Sequence, residues 1–261
     1  MVRVHALCGG YLDLDQTIFF PDRPPGTRWT VPIPCWLVAH PRGRLLFDTG
    51  IHRDASVDPV GRLGERRARR FGIRSGPADE VVSQLAVVGL SPGDVTFVAN
   101  SHLHFDHCGG NEFFPRSTLL VQRREMAAAR DPAVLQSGRY APSPQDFDHP
   151  LAYELIDGEY DVFGDGTVQL IPTYGHTPGH QSLRVRTGRG RELVMAADAC
   201  YTEAHLEEDR LSGVVWDAGE MAQALATLRR LRSRPGTTIL YGHDPGQWST
   251  LPRAPIPLDG G

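Results

Sequence analysis

Apolar residues recur along this chain with two periods, and the switches between them lay out its elements. Residues 36–40 and 44–47 are apolar runs flanking the turn Pro41-Arg42-Gly43, which predicts a β-hairpin. Between 78 and 90, Val81, Val82, Leu85 and Val88 fall at helical spacing, and Ser91-Pro92-Gly93 stops that helix. Residues 95–98 then read as a short buried strand. A strand over 118–121 and a helix over 122–130 follow. Residues 168–171 form another strand, and 182–186 and 192–196 read as a pair of strands. Met221, Leu225, Leu228 and Leu231 share one face of a helix over about 218–232, with Asp217 and Glu220 as its start signal. The last strand is 238–241.

Other stretches lack a clean period. Residues 2–20 read as extended chain. Residues 21–34 are rich in Pro and Gly and predict an irregular loop able to wall a cleft, with Trp29 and Ile33 offering apolar surface. Residues 131–150, rich in Pro, Ser and Asp, read as a loop. The segment 52–76 carries Glu65-Arg66-Arg67-Ala68-Arg69-Arg70 and reads as a solvated helix face; the alternative is a subunit contact, and a homodimer formed through it is the oligomeric expectation. The Pro-rich tail from Leu251 predicts poor order. With no tandem repeat, and strands and helices mixed in both halves, a single domain over 1–261 is expected.

Composition narrows the function classes. Net charge is −4 and the pI near 6.2, which gives neither nucleic acid nor an anionic membrane an electrostatic handle. No apolar run reaches the roughly 18–20 residues of a membrane helix, and residues 1–10 lack a signal-peptide core; the expected compartment is the cytoplasm. All 27 basic residues are arginine. The absence of lysine excludes a Walker-type phosphate loop and Schiff-base chemistry. Cys8, Cys35, Cys108 and Cys200 form no C-x-x-C pair and read as small buried side chains. Cys108 and Cys200 adjoin candidate site residues.

The chemistry concentrates in Ser101-His102-Leu103-His104-Phe105-Asp106-His107. Neutral imidazoles and a carboxylate suit borderline divalent metals such as zinc. The two-apart pair His102 and His104 can serve one metal, and the adjacent pair Asp106 and His107 a neighbouring one. The same arrangement, a short apolar strand followed within a few residues by His or Asp, returns at His176, Asp198 and His243. Strand ends on one sheet edge converge in space, so the four segments can meet. Asp48, at the end of the strand before Thr49-Gly50, is placed to hydrogen-bond a neighbouring loop. His5, His40, His52, His149 and His205 have no motif around them and read as surface residues.

His102-Leu103-His104-Phe105-Asp106-His107 with Gly109-Gly110-Asn111, His176-Thr177-Pro178-Gly179-His180-Gln181-Ser182, Asp198-Ala199-Cys200-Tyr201-Thr202 and Gly242-His243-Asp244 together resemble the metallo-β-lactamase superfamily. Tyr201 and Phe105 point within it to the N-acyl homoserine lactonases. The resemblance implies an α/β fold, an αββα sandwich of two mixed β-sheets flanked by helices. It implies that His102, His104 and His176 hold one metal, that Asp106, His107 and His243 hold a second, and that Asp198 bridges them. The two ions would be divalent, zinc first, with iron, cobalt or manganese as alternatives. A hydroxide shared between them would attack the lactone carbonyl carbon. Tyr201 would assist the carbonyl oxygen, and Asp106 is both a candidate ligand and a candidate proton shuttle. Phe105 and Tyr201 would contact substrate, while Asp48, His180 and Asp244 would hydrogen-bond and orient the ligands.

The implied reaction is ring opening of N-acyl homoserine lactones, which interferes with bacterial quorum signalling. The alternatives are another dinuclear hydrolase of the same fold (thioesterase, aryl-ester or other lactone hydrolase, phosphotriester hydrolase) and an iron oxidoreductase. Only about 18 residues follow His243, short for the substrate-binding extension such thioesterases carry. Retention of both His104 and His107 favours hydrolysis at two metals over redox chemistry. A nuclease would need a basic surface and an inserted domain.

Overall fold

The computed structural model describes residues 1–188 and 190–258. Two mixed β-sheets pack face to face. The first comprises β1 (Arg3–Asp15), β2 (Arg28–His40), β3 (Gly43–Phe47), β4 (Gly72–Ile73), β5 (Phe97–Ala99), β6 (Thr118–Gln122) and β7 (Ala152–Ile156), in the order β4-β1-β2-β3-β5-β6-β7. The second comprises β8 (Tyr160–Asp161), β9 (Val168–Pro172), β10 (Gln181–Arg186), β11 (Glu192–Ala197) and β12 (Thr237–Tyr241), in the order β12-β11-β10-β9-β8. β3, β5, β6 and β7 run parallel, as do β11 and β12; the other pairings are antiparallel.

Alternation along the strands explains the layers. Val4, Ala6, Trp36, Val38, Leu45 and Phe47 of the first sheet meet Leu170, Leu183, Val185, Leu193, Met195 and Leu240 of the second in one buried core. The intervening residues point outward, and these too are apolar. Leu7, Leu37, Leu46 and Val98 pack under the helix Val81–Val87 through Val81 and Leu85. Val194, Ala196, Ile239 and Tyr241 pack under the helix Ala218–Arg232 through Leu225, Leu228 and Leu231. Each such leucine contributes about 1.5–3 kcal/mol by leaving water. Asp217 caps that helix by accepting from Glu220 N at 2.8 Å.

Several sequence expectations change. The missing period in residues 2–20 reflects a β-bulge: Cys8 pairs with Pro34 but Tyr11 with Pro32, so one extra residue of β1 flips its side chains to the other face. The predicted loop 21–34 is instead strand from Arg28 onward. Pro32 and Pro34 are tolerated inside that central strand because they sit opposite the bulge. Residues 131–150 contain short helices, Pro132–Ser137 and Pro144–Phe147, each opened by its proline. The segment 54–70 forms three short helices. The tail is ordered over 251–258: Ala254 N donates to Ala6 O at 3.0 Å and Leu258 N to Val4 O at 2.8 Å; residues 259–261 lie outside the described part.

Candidate metal centre

β5, β9, β11 and β12 each end at the same rim, and each hands over its His or Asp within a few residues. His102, His104, His176 and Asp198 form one cluster, and Asp106, His107 and His243 a second, with the candidate ligand atoms of each within 4.8 Å of one another. Asp198 faces both: Oδ2 lies 3.2 Å from His176 Nε2 and 3.8 Å from His102 Nε2, while Oδ1 lies 3.0 Å from His243 Nε2 and 3.2 Å from His107 Nε2. Asp106 Oδ2 is 3.6 Å from His107 Nε2 and 3.9 Å from His243 Nε2. All seven predicted ligands are therefore brought together.

The outward nitrogens set the ring tautomers. Nδ1–H of His107 donates to Asp48 Oδ2 (2.9 Å), that of His176 to the Val214 carbonyl (3.0 Å), and that of His243 to the Pro32 carbonyl (2.8 Å). His102 Nδ1 meets Ser101 Oγ at 3.0 Å, and Ser101 Oγ in turn lies 2.8 Å from Asp48 Oδ2. Each arrangement leaves an Nε2 lone pair pointing inward, which is how ligating histidines are oriented. His104 alone turns its Nδ1 inward, 2.9 Å from His102 Nε2 and 3.1 Å from His176 Nε2.

The donors fit divalent cations. His107 Nε2 and Asp198 Oδ1 are buried with no hydrogen-bond partner, and buried polar atoms are rarely left so. Burial pushes His102, His104 and His176 below the usual imidazole range, so they are neutral, with lone pairs free for a cation. Burial opposes a charge on His107 too, but the carboxylates of Asp198, Asp106 and Asp48 outweigh it and hold its proton. Asp198 is likewise buried, yet the imidazoles of His107, His243 and His176 keep it well below the ordinary carboxylate range. A cation between these groups would displace the proton held on His107 and take up its Nε2 lone pair.

Support comes from expected and unexpected residues. Asp48 accepts from Ser101 N (2.7 Å) as well as from His107, tying β3 to the ligand loop. His180 Nε2 accepts from Asp198 N at 3.1 Å and its Nδ1 faces Thr173; burial pushes it down to about 3, so it stays neutral. Asp244 does something else: it caps the helix Pro245–Thr250 through Gln247 N (3.0 Å) and accepts from Glu203 N (3.0 Å), reaching no ligand among the described residues. The sequence reading missed Glu125. This fully buried carboxylate accepts from Leu103 N (3.1 Å), Tyr140 Oη (2.6 Å), Thr177 Oγ1 (2.8 Å) and Gly179 N (2.7 Å). It joins the two loops that carry His102, His104 and His176. Its place on the buried face of the helix Arg123–Arg130, beside Met126 and Ala129, was the available signal.

Backbone strain delivers Asp198. Ala197 sits at φ 46°, in the left-handed region, beside a register break between β11 and β12. Gly242 comes so close that a Cβ there would meet Ala197 O at 2.5 Å. At Gly179 a Cβ would stand 2.4 Å from Glu125 N. Gly179→Ala should therefore lower stability by about 3 kcal/mol, a shift readable by denaturant unfolding; an unchanged midpoint would show that the loop has room to move.

A cavity of about 200 Å³ opens over the centre. Phe105 and Tyr201 line it as expected, and so do Phe19 and Phe71, which the sequence did not single out. Ile33 and Trp29 do not line it: Ile33 is buried core, and Trp29 stacks behind Phe19 at 5.8 Å. Tyr201 is 4% exposed, its ring 5.0 Å from that of Phe19 and 5.4 Å from that of His243. His205 and His52 are buried rather than on the surface. His205 stacks on Phe20 at 4.7 Å and its Nε2 lies 2.9 Å from the Phe19 carbonyl; His52 stacks on Phe113 and pairs with Glu112. Cys108 and Cys200 are buried free thiols pushed upward by burial, which disfavours the reactive thiolate.

Two mixed sheets sandwiched between helices, with His and Asp at the strand ends sharing one carboxylate, define the metal-dependent hydrolase class with this αββα architecture. The model of the metallo-beta-lactamase superfamily matches residues 28–243, and the chain belongs to that superfamily. It is 34% identical, over 97% of either chain, to the N-acyl homoserine lactonase AttM of Azorhizobium caulinodans. It is 30% identical, over 93% of either chain, to the N-acyl homoserine lactonase AiiA of Bacillus thuringiensis subsp. kurstaki. The structure of an N-acyl homoserine lactone hydrolase with the product N-hexanoyl-L-homoserine bound at its catalytic metal centre matches with a TM-score of 0.86, at 28% identity and covering 98% of each chain. No helix among the described residues is long and apolar enough to cross a membrane.

Proposed function

We propose that this protein is a metal-dependent hydrolase that opens the lactone ring of N-acyl homoserine lactones. The observation that carries this reading is the pair of donor sets sharing Asp198 at the floor of an apolar cavity walled by Tyr201 and Phe105. His102, His104 and His176 would hold one divalent ion, Asp106, His107 and His243 another, with Asp198 between them; zinc suits the donors best, with iron, cobalt or manganese as alternatives. Two such ions supply Lewis acidity toward a carbonyl and lower the pKa of water between them.

The chain's own groups do the rest. Burial, then the charges of Asp198 and Asp106, push the Tyr201 phenol well above its ordinary range, so it stays protonated and can donate to the lactone carbonyl oxygen. Asp106, at the cavity floor, can hold the proton that passes to the leaving ring oxygen. Phe105 and Phe19 present apolar wall to the acyl chain and exclude water from one side of the ring. The product is the ring-opened N-acyl homoserine.

The test is acid release by metal-replete enzyme from lactones of graded acyl length; no ring opening with any of them sinks the reading. Tyr201→Phe should lower kcat about 10- to 100-fold while elemental analysis still finds about two metals per chain. An unchanged kcat removes the phenol from the reaction. One metal per chain in the native enzyme would contradict the dinuclear centre.

The same reading includes a single domain over 1–261, supported by the continuous inter-sheet core. A homodimer through the outer face of 52–76 is supported by the exposed Val57 and Val60, and light scattering decides it. A cytoplasmic setting is supported by four unpaired cysteines.

A further inference from the structure

The arginine run at 65–70 has no part in the reaction described so far, yet its helix, Glu65–Arg70, closes one side of the cavity. Arg69 points elsewhere and pairs with Glu65 Oε2 at 2.7 Å. Arg66, Arg67 and Arg70 line the cavity, and Arg139 joins them. Arg67 is half-buried and held in place: its Nη2 donates to the carbonyls of Ala141 (2.8 Å) and Pro142 (2.9 Å). Its charge is felt at the metal end, where it helps keep His104 neutral after burial and the neighbouring imidazoles have acted.

Among the described residues no carboxylate pairs directly with Arg66, Arg67 or Arg70, although the charges of Asp146 and Asp106 reach Arg67. The carboxylates lining the cavity are Asp106 and Asp198, and both sit among the metal ligands. Among the described residues Arg66, Arg67 and Arg70 form no ion pair with a carboxylate, whereas Arg62, earlier in the same segment, does so with Asp146. Between the ligands and the guanidiniums the wall is apolar, with Leu12, Phe71 and Phe105. A molecule matching this cavity has a lactone at one end, a short apolar linker and an anion at the other. Guanidinium forks suit carboxylates, which they can bind through two parallel hydrogen bonds.

We propose that Arg66, Arg67 and Arg70 form a carboxylate-binding subsite at the cavity wall, so that the preferred N-acyl homoserine lactones carry a carboxylate at the far end of a short acyl chain. This rests on the lactone-opening reading for the reaction, and on the cavity alone for the binding.

The experiment pairs two lactones of equal acyl length on metal-replete enzyme: the half-amide that homoserine lactone forms with a six-carbon diacid, whose distal carboxylate is free, and the methyl ester of that carboxylate. The carboxylate form should show a kcat/KM about tenfold higher, carried by KM, with the ratio shrinking as salt rises from 50 to 500 mM. In an Arg66→Gln/Arg70→Gln variant, which spares the Arg67 bonds to Ala141 and Pro142, the ratio should fall to near one. A wild-type ratio of one or less overturns the subsite, as does a ratio the variant leaves intact. Calorimetric binding of the two ring-opened compounds reads the same preference without turnover. If neither lactone is opened but the distal carboxylate still tightens binding, the subsite stands and the lactonase reading falls. If both lactones open equally and bind equally, the lactonase reading stands and the subsite falls.

Discussion

Asp198→Ala is expected to abolish turnover and to empty the centre. This carboxylate is the one group that faces both donor sets, with Oδ1 toward His107 and His243 and Oδ2 toward His102 and His176. Removing it would take a candidate ligand from both donor sets at once. It also leaves imidazoles buried together with less negative charge to balance either a proton or a cation, and breaking such a buried charged cluster costs about 3–5 kcal/mol. Metal content should fall from about two per chain to below one, and kcat/KM by at least about a thousandfold. Atomic emission on the purified variant, with acid release as the activity readout, checks both. A variant that kept both metals and a tenth of its activity would remove Asp198 from the bridging position.

Glu125→Ala should be the most destabilising change outside the ligands. Four donors converge on this carboxylate, and none of them reaches water. Truncation orphans all four, at about 1–3 kcal/mol for each buried polar group left unsatisfied, with some relief from relaxation. A loss of about 4 kcal/mol corresponds to a Tm lowered by about 10 °C in a chain of this size. The effect should reach the metals, because Leu103 lies between His102 and His104, and Thr177 follows His176. Metal affinity is expected to weaken about 10- to 100-fold, measurable by competition with a chromogenic chelator. Glu125→Gln separates shape from charge: it keeps the volume but turns an NH2 toward one backbone N–H donor, that of Leu103 or of Gly179. If the Gln variant matched the wild type in both Tm and chelator competition, the carboxylate would have no positioning role.

Much of the centre was legible because metal chemistry restricts residue type. Only a few side chains offer a lone pair to a divalent ion, so His and Asp recurring after apolar runs stand out, and the seven candidate ligands do converge. The hairpin over β2 and β3 and the capped helix Ala218–Arg232 were legible for a similar reason: their signals are local. Glu125 was not, because a glutamate between arginines on a helix reads as solvent-exposed until the second ligand loop is seen to bring its donors to it. Asp244 was misplaced because a helix cap and a ligand's hydrogen-bond partner look alike beside a histidine. His205 and Phe19 are joined by a hydrogen bond between positions 186 residues apart, and no period records that.

The sequence by itself determined which atoms can hold metal, the order in which strands deliver them, and the apolar alternation that makes two sheets and their covering helices. Those properties depend on residue type and on neighbours a few positions away. The tertiary structure alone decided what surrounds the reacting groups: Phe19 against Tyr201, the Val214 and Pro32 carbonyls that set two imidazole tautomers, and the side of the 65–70 helix that faces the cavity. An arginine run has the same composition whether it meets water or a substrate. Only the packing of that helix against the mouth of the site distinguishes the two.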